Sequence, residues 1–205
     1  MKRKLTVQIV TVIVIIVFTA GTWLKSRQID LGWLKYFSAS VFLAGLVLAG
    51  WDVLIWRIPL IQQIPGIPRS IRGTWKGTLT SFWVDPDTNI RPPPKCVYLV
   101  IRQSASLVSV KLLTDESHST SSLGQVKEID GSVTLAYMYL NRPEMNVEDR
   151  SRMHHGSAVL DISGLPATRL QGRYWTDRDS KGELEFFQRR PKMADDFSNA
   201  EQMFL

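Results

Sequence analysis

Cysteine is nearly absent: Cys96 is the only one in 205 residues. An internal disulfide is therefore excluded, and the composition fits a reducing compartment. Histidine is scarce as well, limited to His118, His154 and His155. Adjacent strand residues point to opposite faces, so His154 and His155 do not form a metal-binding pair, and no Cys or further His cluster completes a site. A Gly-rich phosphate loop, a GxSxG turn and paired metal-ligand spacings are all missing. No catalytic residue, metal or cofactor is expected, and the chain reads as a non-enzyme. A basic stripe on the C-terminal part is lacking too. Of the formal charge of +6, most belongs to the first 57 residues, where Lys2, Arg3, Lys4, Lys25, Arg27, Lys35 and Arg57 outnumber Asp30 and Asp52. The remainder is nearly neutral, at +1. That balance argues against binding of DNA or RNA polymers.

What the N-terminal segment does have is two apolar runs, 5–24 and 34–56. Each is about 20 residues long, enough to cross a bilayer as a helix. Residues 1–57 therefore read as a transmembrane helical hairpin. A cleaved signal peptide fits poorly, because the first apolar core is too long. Lys2, Arg3 and Lys4 precede the first run, and Arg57, Arg69, Arg72 and Lys76 follow the second. Only Lys25, Arg27 and Lys35 lie between them. The positive-inside rule then places both termini in the cytoplasm of a multi-pass membrane protein. Trp23, Trp33, Trp51 and Trp56 suit an interfacial aromatic belt. Asp52 sits near the cytoplasmic end of its run and is expected to reach the interface. The second run also spaces small residues one turn apart, Ser40 with Ala44 and Gly45 with Ala49. Such a face lets helices approach closely in lipid, either within the hairpin or between copies of the chain.

Pro59, Pro65, Gly66 and Pro68 mark 58–70 as a stiff, non-helical linker. From there the period changes to two. Val97, Leu99 and Ile101 share a face, as do Val133, Leu135, Tyr137 and Tyr139. Eight strands are predicted, at 72–83, 95–103, 106–114, 117–128, 132–140, 155–163, 168–176 and 183–189. Most connections are hairpin-length; the exceptions are the loop containing Pro92, Pro93 and Pro94 and a polar loop from Arg142 to Arg152. The fold class is an all-β soluble domain, an eight-stranded up-and-down antiparallel barrel over 71–190, with a β-sandwich as the alternative. No useful helical period follows residue 58, and 191–205 reads as a flexible tail.

Thr114, Ser117, Ser119, Ser121 and Ser122 surround one tight hairpin, and Tyr174, Thr176 and Arg178 share parity with Leu170. A lumen lined by hydroxyls and aromatic rings, with an arginine at its mouth, suits a nucleotide: rings stack on bases and a guanidinium forks onto phosphate. Thr and Tyr are also good strand formers, and serine-rich hairpins are often only solvated turns.

Several segments in this order are similar to one family. They are Ile71-Arg72-Gly73-Thr74-Trp75-Lys76-Gly77; Leu99-Val100-Ile101-Arg102-Gln103; Leu113-Thr114 with Ser117, Ser119 and Ser121; Leu135-Ala136-Tyr137-Met138-Tyr139; His154-His155-Gly156-Ser157-Ala158; and Leu170 through Arg178 with Gly182. Together with the two spans, they resemble the membrane-anchored β-barrel effectors of CBASS, a bacterial anti-phage defence. The resemblance implies a barrel that binds a cyclic dinucleotide made by a cognate nucleotidyltransferase. It also implies ligand-driven oligomerisation of the hairpins, disruption of the inner membrane and abortive infection. Expected ligand contacts are Trp75, Thr114, Ser117, Ser119, Tyr137, Tyr174, Thr176 and Arg178; expected self-association contacts in the bilayer are Ser40, Ala44, Gly45 and Ala49. The alternative from another class is a membrane-tethered carrier of a lipid or other hydrophobic small molecule, which would need an apolar lumen.

Overall fold

The computed structural model describes residues 2–25, 32–86, 88–129, 131–148 and 151–205. Arg27, Asp30 and residues 149–150 of the polar loop lie outside the described residues. The chain divides into two compact units, Met1–Ile55 and Trp56–Leu205.

In the first unit α1 (Lys2–Lys25) packs against α2 (Gly32–Val53). Phe37–Arg57 is apolar and long enough to cross a membrane, whereas Val10–Gly21 is a shorter apolar helix. The small-residue face of α2 is divided. Ser40 and Ala44 are buried, while Gly45 and Ala49 are exposed. Positions four apart are nearly eclipsed on a helix, and a step of five turns to another face, so one pair faces inward in the hairpin and the other outward.

The second unit is a closed antiparallel barrel: β1 (Gly73–Ser81), β2 (Lys95–Gln103), β3 (Val108–Leu113), β4 (Ser117–Ile129), β5 (Ser132–Pro143), β6 (His154–Ser163), β7 (Arg169–Thr176) and β8 (Lys181–Arg190). Every strand pairs with its sequence neighbours, and β1 closes onto β8 through pairs from Thr74↔Arg190 to Ser81↔Gly182. The expected barrel and its strand order are borne out. The inward parity is also the expected one: Trp75, Leu99, Ile101, Leu135, Leu160, Leu170 and Phe186 are buried in one core. β4 is different. A bulge between Ser121 and Leu123 reverses its parity, so Ser119 and Val126, an odd and an even position, are both buried. A bulge adds one residue to one strand and so exchanges its faces.

The two ends of the barrel differ. At one end, the base, β1 begins and the chain arrives from the linker. Here Ile71 and Trp75 are fully buried and seal the lumen, and the Trp75 indole donates to the Ile71 carbonyl at 2.8 Å. The Gln103 side chain accepts from the Ile71 amide at 2.8 Å and donates to the Arg69 carbonyl at 2.9 Å. The Gln62 amide donates to the Trp56 and Pro68 carbonyls and accepts from the Ser70 N–H. The linker is therefore bound into the barrel base by side-chain amides as well as stiffened by proline. It also contains one short 3-10 turn, Ile61–Gln63, which a non-helical reading did not include, and another, Ile55–Arg57, directly precedes it.

Two other expectations are corrected. The loop after β5 is shorter than read, because the strand continues to Pro143. Nor is 191–205 a structureless tail. It carries α3 (Phe197–Met203), capped by Asp196, whose carboxylate accepts from the Asn199 N–H at 2.8 Å. Ala194, Ala200 and the rings of Phe197 and Phe204 cover Tyr98, Val100 and Leu113 on the outer face of β2 and β3. A helix this short leaves little periodic signal; its stability comes from the apolar outer positions of β2, which the sequence shows as an unbroken apolar run from Val97 to Ile101.

Candidate functional site

At the other end, the mouth, the inward positions become polar and aromatic. Tyr137, Tyr139 and Tyr174 belong to the buried cluster lining the lumen. Ser119, Asn141 and His154 follow as buried polar groups, linked across the sheet by the pairs Ser119↔Asn141 and Asn141↔His154. The Tyr137 and Tyr139 ring centroids are 5.9 Å apart. Another register row runs from Tyr137 through Ala158 and Tyr174 to Gly182 and Ser81.

Two of the tyrosines rest on glycines. A Cβ at Gly156 would collide with the Tyr139 phenol, and one at Gly182 would collide with the Tyr174 ring and the Thr80 carbonyl. The missing side chains let each ring lie against the neighbouring strand, fixing its plane by contact. Burial raises the Tyr139 phenol above its ordinary range; Tyr174 and Asp177 add to the shift, and Arg178 opposes it. Tyr174 is raised by burial and drawn partly back by a hydrogen bond with Ser81. All three phenols are therefore neutral donors at physiological pH. The Tyr137 hydroxyl stands out, being fully enclosed and without a hydrogen-bond partner. Burial raises its pKa as well. An unpartnered buried hydroxyl forfeits its desolvation cost, so such groups occur where a water or ligand completes them.

The predicted contacts do not all meet here. Tyr137 and Tyr174 do. Thr114 and Ser117 are at the mouth but are mutually engaged: the Thr114 hydroxyl accepts from the Ser117 N–H at 2.9 Å and lies 3.1 Å from the Ser117 hydroxyl. Thr176 repeats that device at the β7–β8 turn, its hydroxyl 2.8 Å from that of Ser180. These two pairs shape the rim by side-chain-to-backbone bonding. Ser119 is inward and buried. Arg178 is exposed on the β7–β8 turn, its guanidinium 3.5 Å from the Ser151 hydroxyl. Trp75 does not join the group. It lies at the closed base with its N–H satisfied internally, six residues and about 20 Å of strand from Ser81. Its large buried ring plugs the barrel. Tyr139, Asn141 and His154 share the mouth without being among the expected contacts, although the parity that placed Tyr139 on the inward face extends directly to Asn141.

The mouth combines neutral phenols with fixed ring planes, small hydroxyls and a solvent-facing guanidinium. That set suits stacking on flat bases, hydrogen bonding to ribose and pairing with phosphate.

Two tests follow for the ligand-free protein. Tyr137→Phe removes an unpartnered hydroxyl, so stability is expected to hold or to rise by up to about 1 kcal/mol in denaturant titration; a clear loss would mean that the hydroxyl is already satisfied. Burial lowers the pKa of His154, with Arg178 and His155 adding to the shift. The unfolded state then binds more protons below about pH 6.5, so stability falls as pH drops through that value, and His154→Asn flattens the profile.

The comparisons with known proteins agree with this geometry. The CD-NTase-associated protein 15 of Staphylococcus schleiferi is 25% identical over 155 residues, covering 76% of this chain and 80% of that protein. The family model described as Cap15, cyclic dinucleotide receptor domain, matches residues 66–188, which contain the whole barrel except the last residues of β8. The resemblance carried by the quoted segments is thereby borne out, and the chain belongs to the Cap15 cyclic dinucleotide receptor family.

Proposed function

We propose that the barrel is the receptor of a CBASS effector, binding a cyclic dinucleotide at its mouth without catalysing a reaction on it. The observation that carries this reading is the unpartnered Tyr137 hydroxyl beneath two glycine-seated tyrosine rings, in a barrel of a cyclic dinucleotide receptor family. A cyclic dinucleotide presents two bases and two phosphates. Tyr139 and Tyr174 offer ring faces, Tyr137 and Ser119 hydrogen bonds, and Arg178 a fork for a phosphate. The polar rim counts against an apolar cargo, which would leave those groups desolvated and unpaired.

The apolar hairpin completes the reading. We assign it to the inner membrane as a multi-pass anchor, with the barrel on the cytoplasmic side. Ligand binding then promotes self-association of hairpins, bilayer disruption and arrest of the infected cell. For this to work, the ligand must favour the associated state through differential affinity, since equal affinity shifts nothing. Confinement to a membrane raises effective concentration and reduces the shift required. Gly45 and Ala49 are the candidate contacts between copies, because they are exposed and a Cβ at Gly45 meets nothing within 4 Å. Ser40 and Ala44, buried within the hairpin unit, serve its own packing.

Calorimetric titration of the detergent-solubilised full chain with a panel of cyclic dinucleotides tests the receptor. One member of the panel is expected to bind at a single site; a folded protein that binds none would overturn the reading. Arg178→Ala is expected to weaken that binding about tenfold, the equivalent of about 1.4 kcal/mol for an exposed charge-assisted contact. Gly45→Leu and Ala49→Leu are expected to leave affinity intact and to lower ligand-dependent growth arrest in cells. Full arrest with both substitutions would remove the outward face of α2 from the mechanism.

A further inference from the structure

The near-neutral charge of the barrel conceals a separation by end. Strand direction places Arg72, Lys76, Arg102, Arg190 and Lys192 at or beside the base, where β1 starts and β2 and β8 end. None of these five is in an ion pair among the described residues. The described carboxylates toward that end are Glu128, Asp161, Glu185, Asp195 and Asp196, and Glu185 is already paired with Arg169 at 2.7 Å. By contrast, Asp85, Asp115, Glu116, Glu144, Asp177 and Asp179 belong to the mouth loops, where they intermingle with Arg91, Lys95, Arg142, Arg152, Arg178 and Lys181.

The base also exposes large apolar side chains at its tips. Leu107 on the β2–β3 loop is 74% exposed and Leu165 on the β6–β7 loop 47%. In the linker, Leu60 is 74% and Ile64 54% exposed. Scattered surface leucines need no explanation. The mouth loops expose apolar side chains too, Ile90 at 66% and Met145 at 90%, but among acidic groups. At the base they share one end with cations outside any ion pair, and the chain enters that end from the apolar segment Phe37–Arg57. Within the second unit, Arg57 donates to the Gln103 carbonyl at 2.9 Å, so the chain just before the linker is bonded to the barrel base. Cations and loop-tip leucines at the same end match a bilayer interface, where guanidinium and ammonium groups meet lipid phosphates and leucines enter the headgroup–acyl boundary. Of these cations Arg190 also lies over the Phe204 ring, 5.8 Å from its centroid.

We infer that the barrel base is a docking surface for anionic phospholipid, holding the mouth away from the bilayer. Because the base is tied to the linker through Gln103 and Arg189, docking restricts the tilt of the whole barrel, which a flexible tether would leave free. The inference rests on the anchoring reading, and the test separates the two.

In a Cys96→Ser background, the full chain carries a single nitroxide at Leu107→Cys, at Thr88→Cys in a mouth loop, or at Val47→Cys in the hairpin. Each is placed in nanodiscs of phosphatidylglycerol or of phosphatidylcholine, and collisions with oxygen and with a water-soluble nickel complex are compared. The Leu107 label is expected to shift toward oxygen, as for a site within the headgroup boundary, in phosphatidylglycerol only. High salt should reverse the shift, and the Thr88 label should stay aqueous. Combining Arg72→Glu, Arg102→Glu and Arg190→Glu should return the Leu107 label to water. An aqueous Leu107 label in both lipids overturns the inference, whether or not the hairpin label reads as lipid-buried. Equal burial in both lipids also overturns it as a site for anionic lipid. An aqueous Val47 label is the separate failure of the anchor.

Discussion

Closure of β1 onto β8 is the constraint on which the rest depends. Eight antiparallel strands satisfy their backbone groups only when the last meets the first, and that meeting fixes which residues face inward. Gly77 makes the seam possible. It follows a register shift after Lys76, and a Cβ there would collide with the Glu185 carbonyl and the Phe186 ring. With the seam closed, Phe186 and Trp75 fill the base, and the bulky side chains are exhausted before the mouth. The polar end is thus the other side of a sorting that the apolar end performs.

That sorting was largely legible in the sequence. Strict alternation from Val133 to Tyr139 and from Leu170 to Thr176 predicts both the strands and their inward faces. What escaped was whatever depends on a neighbour from another strand. Tyr139 and Tyr174 become fixed platforms only because Gly156 and Gly182 lie beside them in register, and register is a property of pairs. Trp75 has the right parity for the lumen but the wrong height, since parity says nothing about position along the barrel axis. Thr114 with Ser117, and Thr176 with Ser180, look like ligand hydroxyls by composition but spend their capacity on turns. The C-terminal helix was hidden for the same reason: seven residues carry no clear period, and their partner surface on β2 lies about a hundred positions upstream.

Averaging hides where charge sits. A net of +1 over residues 58–205 argues against a polymer-binding stripe, yet charges add vectorially, and up-and-down topology sends alternate loops to opposite ends. The described parts of loops 82–94, 114–116, 144–153 and 177–180 share the mouth and carry seven of the fourteen described acidic residues after Arg57. The base receives the arginines that flank strand starts and ends. Charge asymmetry in such a barrel is legible only after each loop is assigned to an end, which needs the strand count and directions first.

The junction between linker and barrel constrains how a ligand signal can travel. Gln103 holds the Ile71 amide and the Arg69 carbonyl, Arg189 donates to the Arg72 and Ser70 carbonyls, and Gln62 closes the linker on itself. Several of these groups are buried, and opening them costs about 1–3 kcal/mol for each one left unsatisfied. A ligand at the mouth, across a packed core, has no contact through which to offset that cost. Its differential affinity is more readily expressed in the groups it touches: the Thr114 and Thr176 turns, the loop bearing Ser151, and the rings of Tyr139 and Tyr174. On the proposed reading, the mouth is where a liganded barrel differs from an empty one, with the base as a rigid mount in both states.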